Sequence, residues 1–266
     1  MATLTRTEQR LTRNLIAAEQ AYHAAEGGIY NAAHWLAGGG RGQARALPTS
    51  SVNIGNAIVT TEINDERGKI DLNSAPEELI RGVMLAVGIE FDEGERLADA
   101  VLDWRDADNL QRLHGAEDSD YRLEGYRHGA KDAPFDSVEE LQGVLGMRPE
   151  IYQAIREAFT VYTRARDVNP LAASPLVLSA IPGMTRELVD RFVEAREISR
   201  AEGLPPPAFP VGASPHVTYE TGPAYAVSAR AGIADRTDTR IRAVVFVEQG
   251  VDAETYRIVS WDSSPY

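Results

Sequence analysis

One long amphipathic helix is predicted over residues 3–37, and any fold of this chain has to accommodate it. Apolar side chains recur there at helical spacing, with charged side chains on the other faces. Gly38, Gly39 and Gly40 end the segment, as glycine commonly ends helices. The apolar stripe is wide enough to cover a sheet and still leave side chains for a neighbour. Its members are Leu4, Leu11, Leu15, Ala18, Tyr22, Ala25, Ile29, Ala33 and Leu36.

Strand-like sequence lies on both sides of a helical block. Residues 51–73 alternate as strands do, and so do "AYAVSARAGI", "RIRAVVFVEQG" and "TYRIVSWDSS" near the far end. Residues 74–203 are helical in pattern with almost no strand character, and they end in the proline-rich "LPPPAFPVGASP". The pattern predicts an α+β fold with a large all-α domain inserted in the sheet region. The predicted boundaries are 1–72, 73–204 and 205–266.

The helical block contains a weak repeat of three helical hairpins, each with a glycine at its turn. Ser74, Asp136 and Ser174 are predicted to cap the first helices by accepting free amides. The turn at Gly183, in "IPGMTRELV", is similar to a helix-hairpin-helix, a motif that often holds a DNA phosphate. A nucleic-acid-binding module is therefore an alternative function, and a packing hairpin is the simpler interpretation.

The overall charge opposes nucleic-acid binding. Forty Asp and Glu residues against 27 Lys and Arg give a net charge of −13, and no basic run supplies a local patch. Cysteine is absent, which excludes disulfides and thiolate sites. No apolar stretch approaches the ~18 residues of a membrane span, and no signal peptide is present. The chain as given is expected to be soluble.

Motifs of the common enzymes are missing from the sequence. The five histidines lack metal-ligand spacing, and no GxSxG, Walker A or GxGxxG follows a predicted strand. Paired carboxylates with a divalent metal leave a hydrolase as the one enzyme alternative. We expect a protein that is not an enzyme.

The segment "DWRDADNLQRLHGAEDSDY", residues 103–121, carries six carboxylates. Two like charges about 4 Å apart repel by ~4 kcal/mol at an effective dielectric near 20, so a bound cation would help such a loop to close. Oxygen-only ligands from a flexible loop favour Ca²⁺ over Mg²⁺, although the spacing is not that of an EF-hand. A solvated acidic loop remains the alternative at this point.

Five longer motifs resemble protein K, the large minor pseudopilin of type II secretion systems. They are "DERGKIDLNSAPEEL", "DAVLDWRDAD", "GAEDSDY", "APFDSVEELQGVLGM" and "VNPLAASPLVLSAIPGM". The resemblance implies a pilin-like fold, a long N-terminal helix packed on an antiparallel sheet, with an inserted domain that binds Ca²⁺. It assigns the cation to Asp106, Asp108, Glu117, Asp118 and Asp120. Asp103 is expected to lie inside a helix and to cap or pair instead.

The resemblance also implies a function and partners. It predicts a minor pseudopilin in the tip complex that initiates the pseudopilus and supports export of folded proteins across the outer membrane. The expected partners are the I and J subunits, with H as a further candidate, and the inner membrane through an N-terminal helix; no nucleic acid is expected. Because "TLTRTEQRL" follows Met1 and Ala2 directly, we expect the soluble periplasmic part of a single-pass inner-membrane protein.

Overall fold

The structure, a computed structural model, describes residues 2–40, 49–233, 237–249 and 254–263. Side chains within α1 before residue 8 lie outside this description, and so does the predicted stripe position Leu4. Contacts divide the chain into two compact units, Met1–Asp65 with Gly222–Tyr266, and Glu66–Thr221. We call them the helix–sheet unit and the helical unit. The sequence boundaries after residues 72 and 204 both fall inside the helical unit.

The described elements form an α+β fold, as predicted. The helices are α1 (Ala2–Ala37), α2 (Glu77–Ala86), α3 (Phe91–Arg105), α4 (Asp118–Leu123), α5 (Pro149–Ile155), α6 (Pro175–Ala180) and α7 (Arg186–Glu202). The strands are β1 (Ser50–Ile54), β2 (Ala57–Asp65), β3 (Ile70–Asp71), β4 (Phe159–Thr160), β5 (Ala224–Ile233), β6 (Thr237–Gln249) and β7 (Glu254–Asp262).

Five strands of the helix–sheet unit form one antiparallel sheet in the order β1-β2-β5-β6-β7. β2 pairs directly with β5, with Asp65 opposite Tyr225, although residues 66–223 separate the two strands along the chain. At the return, the amide of Gly222 donates to both carboxylate oxygens of Asp65 at 3.2 Å. This pairing confirms that the helical block is an insertion in the sheet.

Among the side chains of α1 that the structure describes, those buried against the sheet begin at Ala21. Its buried side chains are mostly alanines, and a Cβ added at Gly28 would lie 2.7 Å from a methyl group of Val59, so helix and sheet approach closely. Leu11 and Leu15 of the predicted stripe are 58% and 68% exposed. The apolar stripe is therefore divided between an inner half and an uncovered half. The buried α1 residues are Ala21, Ala24, Ala25, Ile29, Ala32, Ala33 and Leu36.

The helical unit consists of the three predicted hairpins around one apolar core. These are α2 with α3, a 3-10 turn at Val138–Gly143 with α5, and α6 with α7. α2 and α6 touch at Gly82, where an added Cβ would lie 2.1 Å from the carbonyl oxygen of Ala180. Glycine is required at this crossing because a side chain would collide with backbone. A short parallel pair joins β3, near the start of the unit, to β4, which follows the second hairpin.

Candidate functional site

The acidic loop begins at the last buried turn of α3. Asp103 is fully buried, and its carboxylate accepts the backbone amide of Arg112 at 3.2 Å and lies 3.5 Å from the Arg112 Nε. A Cβ at Gly115 would lie 1.9 Å from the Asp103 Oδ2, so the loop folds tightly over this carboxylate. Asp103 thus anchors the loop through Arg112, in agreement with the expected pairing role.

The other arginine of the segment is directed away from the acids. Arg105 donates to the carbonyl oxygens of Leu72 and Ala75, the latter at 2.9 Å. Burial lowers the pKa of Arg105 to about 10. The guanidinium of Arg105 therefore forms its hydrogen bonds with backbone carbonyl oxygens and not with the acidic side chains.

Two of the five predicted ligands, Glu117 and Asp106, have buried carboxylate oxygens without partners, and a third, Asp108, is exposed and hydrogen-bonded. Glu117 is 5% exposed and its side chain is turned to the Asp120 amide in a capping box at the start of α4, but neither carboxylate oxygen has a hydrogen-bond partner of good geometry. One oxygen of Asp106, just past the end of α3, is also buried without a partner. Asp108 is exposed and accepts the amide of Leu110 at 2.9 Å. An unsatisfied buried carboxylate is costly, so Glu117 and Asp106 require an external counter-charge or a proton.

The other two predicted ligands have local partners. Asp118 is half exposed and accepts a hydrogen bond from the Arg122 guanidinium at 2.9 Å. Asp120 accepts the backbone amide of Glu117 at 2.9 Å, at the start of α4. These bonds orient Glu117 at the helix start.

Burial first, and repulsion between carboxylates second, raises the pKa of two acidic groups of the loop. Burial raises the pKa of Glu117 to about 7, and the charges of Asp103, Asp132, Asp106 and Asp108 add to the rise. Burial also raises the pKa of Asp103 to about 6, opposed by the Arg112 amide. These carboxyls therefore hold protons more tightly than ordinary carboxyls do.

The sequence interpretation missed Asp132. This residue lies outside the quoted acidic segment, yet its Oδ1 is buried without a partner and its charge acts on Glu117. Its backbone φ of 53° is uncommon for a residue other than glycine. No sequence periodicity marks it, and only folding brings it to the loop. Among the described residues, no three carboxylate or imidazole groups already converge as a metal site would require.

A second candidate site is the uncovered half of α1. Leu11, Leu15 and Ile16 are more than half exposed. Beside them, a groove of about 600 Å³ runs between this part of α1 and the turn from β1 to β2, with Leu15, Ile16 and Ile54 among its lining residues. Exposed apolar patches on this scale mark interaction surfaces. No described helix is both long and apolar enough to cross a membrane.

Comparisons with known proteins point to one family. A family model described as "Type II secretion system (T2SS), protein K" matches residues 52–164. The type II secretion system protein K of Pectobacterium carotovorum is 26% identical over 196 residues, which cover 62% of this chain and 60% of that protein. The protein K of Pseudomonas aeruginosa is 27% identical over 164 residues, 56% of this chain and 49% of that protein. The matches thus span about half the length of these relatives.

The fold has a counterpart among solved structures. A chain of the crystal structure of the GspK-GspI-GspJ complex from the enterotoxigenic Escherichia coli type 2 secretion system superposes with a TM-score of 0.64. The superposition covers 98% of this chain and 99% of that chain, at 14% sequence identity. The predicted pilin-like fold is thereby confirmed, and nothing in the comparisons supports the nucleic-acid alternative. The family model and the relatives agree in making this chain similar to type II secretion system protein K, and the fold is consistent with that similarity.

Proposed function

We propose that this protein is a minor pseudopilin of a type II secretion system, part of the tip complex that initiates the pseudopilus. The observation that carries the proposal is a pilin-like helix–sheet unit whose helix is covered by its own sheet from residue 21 onward, while the described side chains at residues 11–16 are exposed. The fold-matched structure is a complex of GspK with GspI and GspJ, which supports the I and J subunits as partners. Its role is structural, as in its family, and we assign it no catalysis.

The proposed function also implies where in the cell the protein acts. A pseudopilin acts at the bacterial inner membrane with its head in the periplasm, so we place the described units in the periplasm. Membrane attachment by an N-terminal helix is part of the proposal and follows from the family.

Partner binding is tested on the uncovered half of α1. Ile16→Glu places a charge in the exposed apolar patch, where it would be buried by a partner, so the yield of the complex with co-expressed I and J subunits should fall at least tenfold. Ile198→Glu, on the similarly exposed Ile198 of α7 (48% exposed against 53%), is the matched control. Native mass spectrometry reads the complex, and circular dichroism checks folding. Equal complex yields from both variants would place the contacts elsewhere.

A position at the tip follows from the size of the insertion. Pilin-like subunits stack through their helices with each head resting on the subunit below, and the helical unit, residues 66–221, enlarges this head. Nothing lies above the tip, so extra bulk is tolerated only there. Gold labelling of isolated pseudopili should mark one end. Regular labelling along the shaft would contradict the capping role.

We also propose that the acidic loop of the helical unit binds Ca²⁺. Carboxylate oxygens are the ligands that Ca²⁺ prefers, and the unpartnered oxygens of Glu117 and Asp106 match that chemistry. Asp106, Asp108 and Glu117 would hold the ion, whose charge would neutralise the loop. The full predicted set with Asp118 and Asp120 remains a prediction.

Removing Ca²⁺ with a chelator tests the proposed site directly. At a hundredfold excess over Kd, Ca²⁺ should stabilise the helical unit by about 2.7 kcal/mol, and EDTA should remove that gain and speed hydrogen exchange over residues 103–125. Mg²⁺ at the same concentration is the control. Identical melting curves in Ca²⁺, Mg²⁺ and EDTA would refute the site.

A further inference from the structure

The proline-rich run after α7 begins with Leu204, Pro205, Pro206 and Pro207, which we call the proline segment. Its composition alone is compatible with a free linker, but all four residues belong to the helical unit, residues 66–221. Leu204 is 54% exposed, and Pro205 and Pro206 are exposed as well. An apolar side chain and two proline rings therefore stand together in solvent.

The last turn of α7 fixes the start of the proline segment. Gly203 caps the helix with a left-handed φ of 65°, and the Leu204 amide then donates to the Ser199 carbonyl at 2.8 Å. The buried Ser199 hydroxyl lies 2.9 Å from the carbonyl oxygen of Leu204 and 2.6 Å from that of Pro205. Because the hydroxyl has one proton, the two acceptors share it. The chain therefore leaves the helix in one defined direction.

Aromatic side chains anchor the other end of the proline segment. The Tyr219 hydroxyl donates to the carbonyl oxygen of Pro207 at 2.8 Å. Two residues further along, Phe209 is buried, and its ring lies 5.5 Å from the ring of Phe192 on α7, centroid to centroid. The exposed rings are thus held between two attachments to the same unit, and the segment does not act as a spacer between units.

Proline itself dictates the backbone conformation of the segment. The proline ring fixes φ at about −65°, and a residue that precedes proline is restricted to extended ψ values. Both rules apply to Pro205 and Pro206, the second applies to Leu204, and the peptide bonds of the segment are trans. Residues 204–207 are therefore held in the polyproline II conformation, an extended left-handed helix without internal hydrogen bonds.

The hydrogen-bonding groups of the segment define the chemistry of a partner. Proline has no N–H group, so the backbone of residues 205–207 can only accept hydrogen bonds. Three of the four carbonyl oxygens already accept from side-chain hydroxyls of the helical unit, whereas that of Pro206 accepts from no described residue. A tyrosine or tryptophan side chain of a partner would offer both a flat ring for the prolines and a donor for Pro206.

We propose that the proline segment docks into a groove lined with tyrosine and tryptophan side chains on a partner protein. Such grooves bind polyproline II helices because the ligand is already extended and loses little conformational entropy on binding. The anchors at Ser199 and Tyr219 add to this advantage by holding the rings in place. The contact depends neither on the uncovered half of α1 nor on the acidic loop, so it is independent of the proposed function.

A WW domain, whose aromatic-lined groove binds proline-rich segments, serves as the probe for the intact chain. NMR titration of the labelled WW domain should show saturable binding, and Pro206→Ala should weaken it by about tenfold or more, because a ring contact is lost and the backbone is freed. Pro210→Ala is the matched control, since Pro210 is also exposed but follows the buried Phe209. It should change the affinity less than about twofold.

Folding and docking are measured separately. Circular dichroism and thermal melts check that each variant is folded, and Pro205→Ala repeats the test at the neighbouring ring. A WW domain whose groove tryptophan is replaced by alanine should not bind. If the WW domain does not bind the parent chain, or if it binds Pro206→Ala and Pro210→Ala equally, the docking proposal is refuted. A lower melting temperature of Pro206→Ala with unchanged affinity would show instead that the prolines only stiffen the loop.

Discussion

The two units of this protein differ most in how their charge is distributed. The helix–sheet unit, including its undescribed residues, contains 11 acidic and 10 basic residues, whereas the helical unit contains 29 and 17. Almost the whole net charge of −13 therefore belongs to the insertion. The helix–sheet unit leaves apolar surface uncovered on α1, and the helical unit leaves buried carboxylates without partners.

The two units therefore leave different groups unsatisfied, apolar side chains in the helix–sheet unit and buried carboxylates in the helical unit. Uncovered leucine and isoleucine are satisfied by another apolar surface, as offered by a protein partner. Buried carboxylates are satisfied by a proton or a cation. One chain thus combines a unit with uncovered apolar surface and a unit with buried carboxylates that lack partners.

The largest expected effect on stability is the difference between a substitution in the covered half of α1 and one in the uncovered half. Leu36→Ala removes a fully buried side chain from the contact with the sheet and should cost about 3 to 4 kcal/mol of unfolding free energy. Leu15→Ala, at a position 68% exposed, should cost less than about 0.5 kcal/mol in the isolated protein. Urea unfolding measures both. Similar losses would show that the outer half is covered after all.

The next prediction compares the loss of stability when one closely packed glycine in each unit is replaced by alanine. Gly82→Ala forces a Cβ against the Ala180 carbonyl in the helical unit, and we expect a loss of about 2 to 3 kcal/mol. Gly28→Ala in the helix–sheet unit meets a Val59 methyl group instead, and the helix gains propensity, so a loss of about 1 kcal/mol is expected. Hydrogen exchange assigns each loss to its unit. A larger loss at Gly28 would contradict the stated geometry.

The pH dependence should also distinguish the units. The folded pKa values of Glu117, about 7, and Asp103, about 6, lie above the ordinary carboxyl value near 4, so the folded helical unit binds protons more tightly than the unfolded chain. In EDTA its stability should therefore rise as the pH falls from about 8 to about 5. Thermal melts at several pH values measure this. Glu117→Gln should flatten the rise, and a stability that falls over this range would refute the assignment.

Surface ion pairs should have the smallest effect in both units. Arg257→Ala in the helix–sheet unit and Arg122→Ala in the helical unit each break a solvent-exposed pair, with Glu248 at 3.0 Å and Asp118 at 2.9 Å. Exposed pairs contribute little because water and salt screen them, so each change should cost less than about 0.5 kcal/mol. Denaturant midpoints check this. A loss above 1 kcal/mol at Arg122 would indicate that Asp118 matters more than its exposure suggests.

The sequence rules for helix caps predicted one helix start correctly and another wrongly. Ser174 caps α6 as predicted, accepting the Val177 amide at 3.2 Å. The cap predicted at Ser74 was wrong, since α2 begins after Pro76 without a side-chain cap. The Ser74 amide instead bonds to the carbonyl of Asp71, in a turn that follows β3. Tertiary pairing of β3 thus displaced the helix start.

The amino-acid sequence by itself determined the α+β class, the long N-terminal helix, the insertion of a helical block and the concentration of acids near residues 103–121. These follow from periodicity and composition, which are local properties of the chain. Tertiary structure alone decided which half of the α1 stripe is covered, because that depends on how far the sheet extends beneath it. It also decided that Glu117 and one oxygen of Asp106 are buried without a hydrogen-bond partner, while Asp118 and Asp120 accept hydrogen bonds from near neighbours. Carboxylates from separate segments meet only after the chain has packed, and spacing along the sequence does not record that meeting.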